Sequence, residues 1–390
     1  MPARDHKLRR VRMFALLAVV TACPGIPAFP GGPRAPGAPD LLDLERARLL
    51  MGTVLTIHVP DAGPSAAAAV DAAFERVARL EDAMTTWRPD GELYRVNQRL
   101  ADPRQAGRPV AVGRDLGRAL RVALRWSRRT GGLFDPALGT LLDAWAVERP
   151  ARPGPPPDLE TARRLAGSRD IRVRQRGDGG FEIRVPRAGV RFDLGGIGKG
   201  WALDEAARIL SREGIDSALL DFGGQVLVLG GDRARTAWPV AIADPRDRAR
   251  AALALPLAGG SLATSSNAVR HRVEEKTLLG HVLDPRSGRP TTGTASYTVL
   301  AETATAADAL STALAAGGTA ATRLVERAGA AWLVLTSDPD CGIRWLASPR
   351  LARLAGLSGR RATSGNNGGC LDGSAPDTTP GPLPGQGADR

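Results

Sequence analysis

Apolar residues recur at two periods along this chain. "MGTVLTIHV" (51–59) alternates with period two and predicts a strand. "SAAAAVDAAFERVARLEDAMTTW" (65–87) carries apolar residues three and four apart and predicts a long helix. A second helix is expected in "LGRALRVALRWSRRTGG" (116–132), stopped by its glycine pair. "IRVRQRGDGGFEIRV" (171–185) reads as a hairpin turning at Asp178-Gly179. "FDLGGIGKGWALDEAARIL" (192–210) runs a strand into a glycine turn and then an amphipathic helix. Strands are expected in "SALLDFGGQVLVLGG" (217–231), "WPVAIADP" (238–245), "LATSS" (262–266), "GHVLDP" (280–285) and "SYTVLA" (296–301). Two helices, "AADALSTALAAGG" (306–318) and "ATRLVERAGA" (321–330), precede a final strand, "AAWLVLTS" (330–337). Helices and strands mix with several hairpin-like junctions. That order predicts an α+β fold of mixed, largely antiparallel sheets flanked by helices.

Composition marks the edges of this body. Residues 24–45 open as a Pro/Gly tether, residues 148–158 are a Pro-rich surface connection, and residues 361–390 form a Gly/Ser/Pro tail expected to be disordered. One domain, residues 46–360, lies between tether and tail. At the N-terminus, "RDHKLRRVR" precedes the short apolar run "MFALLAVV" and then "VTAC". This is a signal-peptide pattern over residues 1–23, too short to span as a mature transmembrane helix. Val20-Thr21-Ala22-Cys23 resembles a lipobox, whose cysteine would be lipidated; ordinary cleavage after Ala22 is the plainer reading. The expected location is the periplasmic side of a bacterial membrane, with Cys23 as the anchor. An oxidising compartment would also allow a disulfide between Cys341 and Cys370, although sequence alone does not fix connectivity.

Net charge is +12, yet aromatic residues make up only 4% and the arginines are scattered through helices and loops. Without a stacking platform the basicity does not point to nucleic acid. Only three of the 53 basic residues are lysines: Lys7, Lys199 and Lys276. Lys199 stands among Gly195, Gly196, Gly198 and Gly200, where a compact point charge suits a phosphate held at a helix N-terminus. A P-loop would need glycine where Asp193 stands and Ser or Thr in place of Gly200. A dinucleotide fingerprint fails at Trp201. The bland alternative is a structural turn leading into a helix.

Four other stretches carry candidate chemistry. "TGGLFDPALGTLLDAW" (130–145) exposes Asp135 between Phe134 and Pro136, and "GHVLDPRSGRP" (280–290) sets His281, Asp284 and Arg286 on one turn. "LATSSNAVRHR" holds Thr264 and Ser265 after a strand. "TATAADALSTAL" (303–314) puts Asp308 and Thr312 four apart on one helical face. Asp308 then has two readings. It is a first-turn carboxylate behind a Thr305 N-cap, or part of an all-oxygen site for a hard cation such as Mg2+.

Taken in order, these pieces resemble the FAD:protein FMN transferase (ApbE) family over roughly residues 48–345. The resemblance rests on Met51-Gly52-Thr53, the M-x-x-W ending at Trp87, Glu92 to Asn97, Phe134-Asp135-Pro136, Asp193 to Gly200 and Gly223-Gly224. It continues through Trp238 with Asp244-Pro245, Ala263-Thr264-Ser265, His281 to Pro290, and Asp308 to Thr312. The fold it implies is that family's T-fold-like α+β arrangement, with residues 46–360 as the FAD-binding transferase domain. The implied activity moves FMN from FAD to a Thr or Ser hydroxyl of an acceptor redox protein, with Mg2+ as cofactor and AMP released. The metal ligands it implies are the carbonyls of Gly198 and Ser311 with the side chains of Asp308 and Thr312. The flavin contacts it implies are Met51, Trp87, Leu133, Phe134, Asp135, Gly195, Trp201 and Val282. His281 is the candidate for moving the hydroxyl proton, its plainer role being a turn histidine that orients Asp284. This chain departs from the family at Gly198, usually alanine, and in 263–268, which lacks a glycine and an aromatic. Two further departures are Gly91-Glu92-Leu93 and Asp221-Phe222 ahead of Gly223-Gly224. FAD pyrophosphatase and non-catalytic flavin-binding lipoprotein are the alternative activities.

Overall fold

The computed structural model describes residues 42–145, 158–231, 237–267, 271–274, 277–357 and 368–371. The signal-peptide segment, most of the tether and most of the tail lie outside them. In chain order the elements begin β1 (Leu42–Leu50), β2 (Thr53–Ala62), α1 (Ala66–Met84), α2 (Glu92–Ala101), β3 (Pro109–Val112) and α3 (Arg114–Arg129). Next come α4 (Gly139–Trp145), α5 (Leu159–Leu165), β4 (Arg172–Gln175), β5 (Phe181–Arg184) and α6 (Gly198–Arg212). The strands β6 (Ala218–Phe222), β7 (Gln225–Leu229), β8 (Trp238–Ala243), β9 (Ala251–Leu257) and β10 (Gly260–Ser266) follow. Then come β11 (His271–Glu274), β12 (Thr277–Asp284), β13 (Arg289–Thr292) and β14 (Ala295–Ala301). The described chain closes with α7 (Ala304–Gly317), α8 (Thr322–Arg327), β15 (Ala331–Asp338), β16 (Gly342–Ala347), α9 (Pro349–Leu354) and β17 (Gly368–Leu371).

One nine-stranded sheet, ordered β1-β2-β6-β7-β10-β14-β15-β16-β17, organises the fold, and every pairing in it is antiparallel. The α+β expectation holds. Period-two alternation feeds both faces of the sheet. Leu220, Leu227, Ala263, Val299 and Val334 enter a core shared with α1, α3, α6 and α7. Leu219, Val228, Leu262, Leu300 and Leu333 enter a second core under the β8–β9 hairpin and α9. Strand residues that look uniformly hydrophobic are therefore covered on both sides. Among the described residues no helix is long and apolar enough to cross a membrane.

Several local expectations change. β1 starts at Leu42, inside the segment assigned to the tether, because Leu42 to Leu50 pair with β2. Met51 and Gly52 leave the strand and make the β1–β2 turn, both at positive φ (48° and 74°). "SALLDFGGQVLVLGG" is two strands, not one: Gly223 and Gly224, at φ 63° and 90°, form a two-residue hairpin turn. β15 is not the last strand, since β16 and β17 add to the same edge. The tail expected to be disordered contributes β17, which pairs with β16 and is tied back by a Cys341–Cys370 disulfide.

Candidate functional site

The glycine turn is held from three sides before any ligand is considered. Asn97, fully buried on α2, clamps the peptide at Phe192: its Nδ2 donates to Phe192 O at 2.9 Å and its Oδ1 accepts Phe192 N–H at 2.8 Å. Asp193 N–H donates to Pro136 O at 2.8 Å, which lays the Phe134-Asp135-Pro136 segment along the turn. The Asp193 carboxylate accepts Gly195 N–H at 2.9 Å and so fixes the turn itself. Phe134 is buried, and a Cβ on Gly196 would lie 3.3 Å from its ring, so that ring packs on the turn.

α7 supplies the opposing wall. Asp308, 5% exposed, accepts Gly200 N–H at 3.0 Å, and its other oxygen stands 3.7 Å from Lys199 Nζ. Thr312 donates its hydroxyl to Gly196 O at 3.3 Å. Ser311 donates to Asp308 O at 3.0 Å and meets the Ser265 hydroxyl of β10, also at 3.0 Å. Gly200 makes this approach possible: a Cβ there would fall 2.2 Å from Ala304 O and 2.9 Å from Asp308 Cβ.

The first-turn reading of Asp308 is corrected. Thr303, not Thr305, is the N-cap of α7, accepting Ala306 N–H at 3.2 Å, and the first turn holds no acid. Asp308 lies one turn further along, where its carboxylate caps α6 instead. The favour is returned. Asp204 of α6 accepts Ala304 N–H at 2.8 Å, Thr305 N–H at 2.9 Å and the Thr305 hydroxyl, closing the start of α7. Burial pushes the Asp204 carboxyl up, against the pull of these hydrogen bonds from Thr305 and Ala304. Gln225, next to the Gly223-Gly224 turn, donates to Ala304 O at 2.9 Å. Asp204 and Gln225 were not singled out from sequence. Their partners lie 100 and 79 residues away, and nothing local marks them.

The other candidates fall into place around this joint. Leu133 packs at the C-terminal end of α7, where a Cβ on Gly317 would meet it at 2.9 Å. Trp201 lies in the first turn of α6, half-buried, with an indole N–H that finds no hydrogen-bond partner among the described residues. Met51 occupies its positive-φ turn at the same end of the sheet as Gly223, whose added Cβ would strike Thr53. Trp87, beyond α1, is 53% exposed. Val282 packs on Ala315 and Ala316 of α7. Asp135 is half-buried, and its carboxylate accepts from Ser127, Ser168 and the Ala137 N–H, which fixes residues 134–137. His281 sits half-buried on β12, a strand and not a turn, while Asp284 at its end pairs with Arg286 at 2.9 Å.

The donors at the joint are a buried carboxylate, a hydroxyl and main-chain carbonyls, all hard oxygen. Among the described residues no three His, Cys, Asp or Glu side chains form a metal cage. A cation here would lean on hydroxyl and backbone oxygen, a chemistry that suits Mg2+ or Ca2+ and not zinc. The α6 N-terminus, with Lys199 beside it, suits an anion such as a phosphate.

A glycine turn and an aspartate helix thus meet in an α+β fold, and comparison identifies the fold further. The sequence model of the ApbE family matches residues 51–334, and the chain belongs to that family. A Treponema pallidum protein named FAD:protein FMN transferase is 32% identical over 70% of this chain and 78% of its own length. One of the same name from Rhodobacter capsulatus is 33% identical over 71% of this chain, which spans about half (52%) of that relative. The crystal structure of an ApbE protein from Thermotoga maritima superposes with a TM-score of 0.68 at 26% identity, covering 80% of this chain and 99% of that one.

Proposed function

We propose that the chain transfers the FMN half of FAD to a threonine or serine hydroxyl of an acceptor redox protein and releases AMP. The observation that supports this most is the α6–α7 joint, where a carboxylate, a hydroxyl, a lysine and a helix N-terminus converge on one glycine turn. The acceptor oxygen forms a bond to the FMN phosphorus, the bond from that phosphorus to the AMP oxygen breaks, and AMP leaves with the electron pair. Asp308, Thr312 and the carbonyls of Gly198 and Ser311 would hold Mg2+, which neutralises charge on the pyrophosphate. Lys199 pairs with a phosphate oxygen, and the amides of the α6 N-terminus orient it. Met51, Trp87, Leu133, Phe134, Gly195, Trp201 and Val282 are assigned to the flavin, with the unpartnered Trp201 N–H as its donor. Asp135 acts on that pocket from behind by fixing residues 134–137. His281 takes the proton of the attacking hydroxyl. Export and lipidation at Cys23 complete the reading; Cys23→Ala should release the protein from membranes in a fractionation at high salt.

The test is incubation with FAD, Mg2+ and a periplasmic extract, followed by in-gel flavin fluorescence and AMP assay. A fluorescent acceptor band with AMP is expected. AMP with free FMN and no labelled protein would make the chain a pyrophosphatase. Asp308→Asn should abolish AMP release at ordinary Mg2+, partly restored by excess Mg2+, with Thr312→Val milder. Near-normal turnover in Asp308→Asn would remove the metal from this site.

A further inference from the structure

The arginines that look scattered along the chain are gathered by α3. Arg114, Arg118, Arg121, Arg125, Arg128 and Arg129 are the exposed residues of that helix, apart from half-buried Asp115 and Val122. At 3.6 residues per turn they fall within about 100° of arc, along a helix roughly 24 Å long. The opposite face is apolar, with Leu116, Leu120, Ala123 and Leu124 buried and Gly117 pressed against Phe181. Asp115 is the helix's one acid, and it is turned inward to Arg76, which bonds it at 2.7 and 2.8 Å. Arg121 lies over Phe181 at 5.1 Å and Arg129 over Trp126 at 4.4 Å. Among the described residues none of the six makes an ion pair. This stripe is not general composition: α1, of similar length, carries two arginines against four carboxylates, and the only charge on α7 is Asp308.

We propose that the exposed face of α3 docks on an anionic lipid surface. A row of unpaired guanidinium groups matches an array of phosphate headgroups in both charge and hydrogen-bonding geometry. No exposed aromatic residue interrupts the row to stack a base, which disfavours nucleic acid. The N-terminal pattern ending at Cys23 independently points to a chain kept at a membrane. The C-terminal end of the stripe leads straight through Gly131 and Gly132 into Leu133 and Phe134, which pack at the glycine turn and α7. A headgroup-bound α3 therefore holds the candidate site close to the membrane plane, where membrane-borne acceptors present their hydroxyls. The docking surface is separate from the chemistry: α3 makes none of the contacts assigned to FAD or Mg2+.

The test takes the full-length chain with Cys23→Ala, so that no lipid anchors it, and compares it with the same chain in which Arg118, Arg121, Arg125 and Arg128 are all changed to Gln or all changed to Lys. Each is sedimented with vesicles of phosphatidylglycerol and phosphatidylcholine (about 3:7) or of phosphatidylcholine alone, at low and high salt. The original chain should prefer the anionic vesicles, and added salt should weaken that preference. The Gln variant should lose at least about 100-fold in partitioning to them, at about tenfold per 1.4 kcal/mol and about 1 kcal/mol per arginine. The Lys variant should retain most of the binding. Thermal melts and AMP release, expected unchanged in both variants, separate this outcome from misfolding or a failed transferase reading. Equal binding of the original and Gln chains to anionic vesicles overturns the proposal. So does binding to heparin or duplex DNA without any preference for anionic vesicles.

Discussion

Two glycines two residues apart in the first turn of α6 should respond oppositely to the same substitution. At Gly200 an added methyl meets backbone: Ala304 O at 2.2 Å and Ala304 C at 2.7 Å, besides Asp308 Cβ at 2.9 Å. None of these is the end of a flexible side chain. Ordinary contact begins near 3.4 Å, so Gly200→Ala must open the α6–α7 joint by about 1 Å. Overpacking of that kind costs roughly 1–3 kcal/mol, a fall in melting temperature of roughly 2–5 °C for a domain of this size. The same displacement carries Asp308 and Thr312 away from the turn, and a 1 Å error in a positioned group costs on the order of 100-fold in rate. At Gly198 the added methyl would sit 3.8 Å from Met84 Cε and 3.9 Å from its sulfur, which is plain van der Waals contact. Gly198→Ala should melt at or slightly above the parent temperature and release AMP from FAD at the parent rate. Differential scanning calorimetry and an AMP assay on the two variants decide the matter. Wild-type behaviour of Gly200→Ala would refute the close joint, and an equal loss in Gly198→Ala would refute the steric reasoning.

Two further outcomes follow from charges and bonds already described. Burial raises the Asp204 carboxyl, so the protonated form is favoured in the fold; its stabilisation is complete below the ordinary carboxylate value of 3.8 and is lost as pH rises through the raised one. Melting temperatures of the parent relative to Asp204→Asn should therefore decline from about pH 4 toward pH 7, and a flat or rising difference would contradict it. Reduction of Cys341–Cys370, which closes a sequence separation of 29, should cost roughly 3–4 kcal/mol on chain-entropy grounds. AMP release below the melt should not change, because β17 lies at the sheet edge opposite β1; equal melts with and without reductant would show that the bond does not hold β17.

What could be read from sequence was local. The 3.6 period of α1 and α3, the Asp178-Gly179 hairpin and the run from glycine turn to helix all depend on residues near one another. β1 escaped notice because an edge strand shows water most of its side chains, so "LDLERARLL" carries charge where a central strand would not. The Gly223-Gly224 hairpin had its signal in the paired glycines, but the largely apolar stretches on either side read as one strand. The site was legible as residue types, since Asp308, Thr312 and the four glycines stand in recognisable spacings. Its assembly was not. Whether Asp308 caps its own helix or another depends on Gly200, 108 residues earlier, and Asp135 looks free until Ser168 is folded against it.

The exchange of carboxylates between α6 and α7 also sets when the site can exist. Each helix is finished by a carboxylate acceptor borrowed from the other, across 100 and 108 residues of chain. A nascent or half-threaded polypeptide that ends before residue 303 has the whole glycine motif and Asp204, but neither Asp308 nor the start of α7 that Asp204 closes. Contacts of such long range are slow to close, so the turn is complete only once α7 packs against α6. Competence arrives with the last quarter of the molecule.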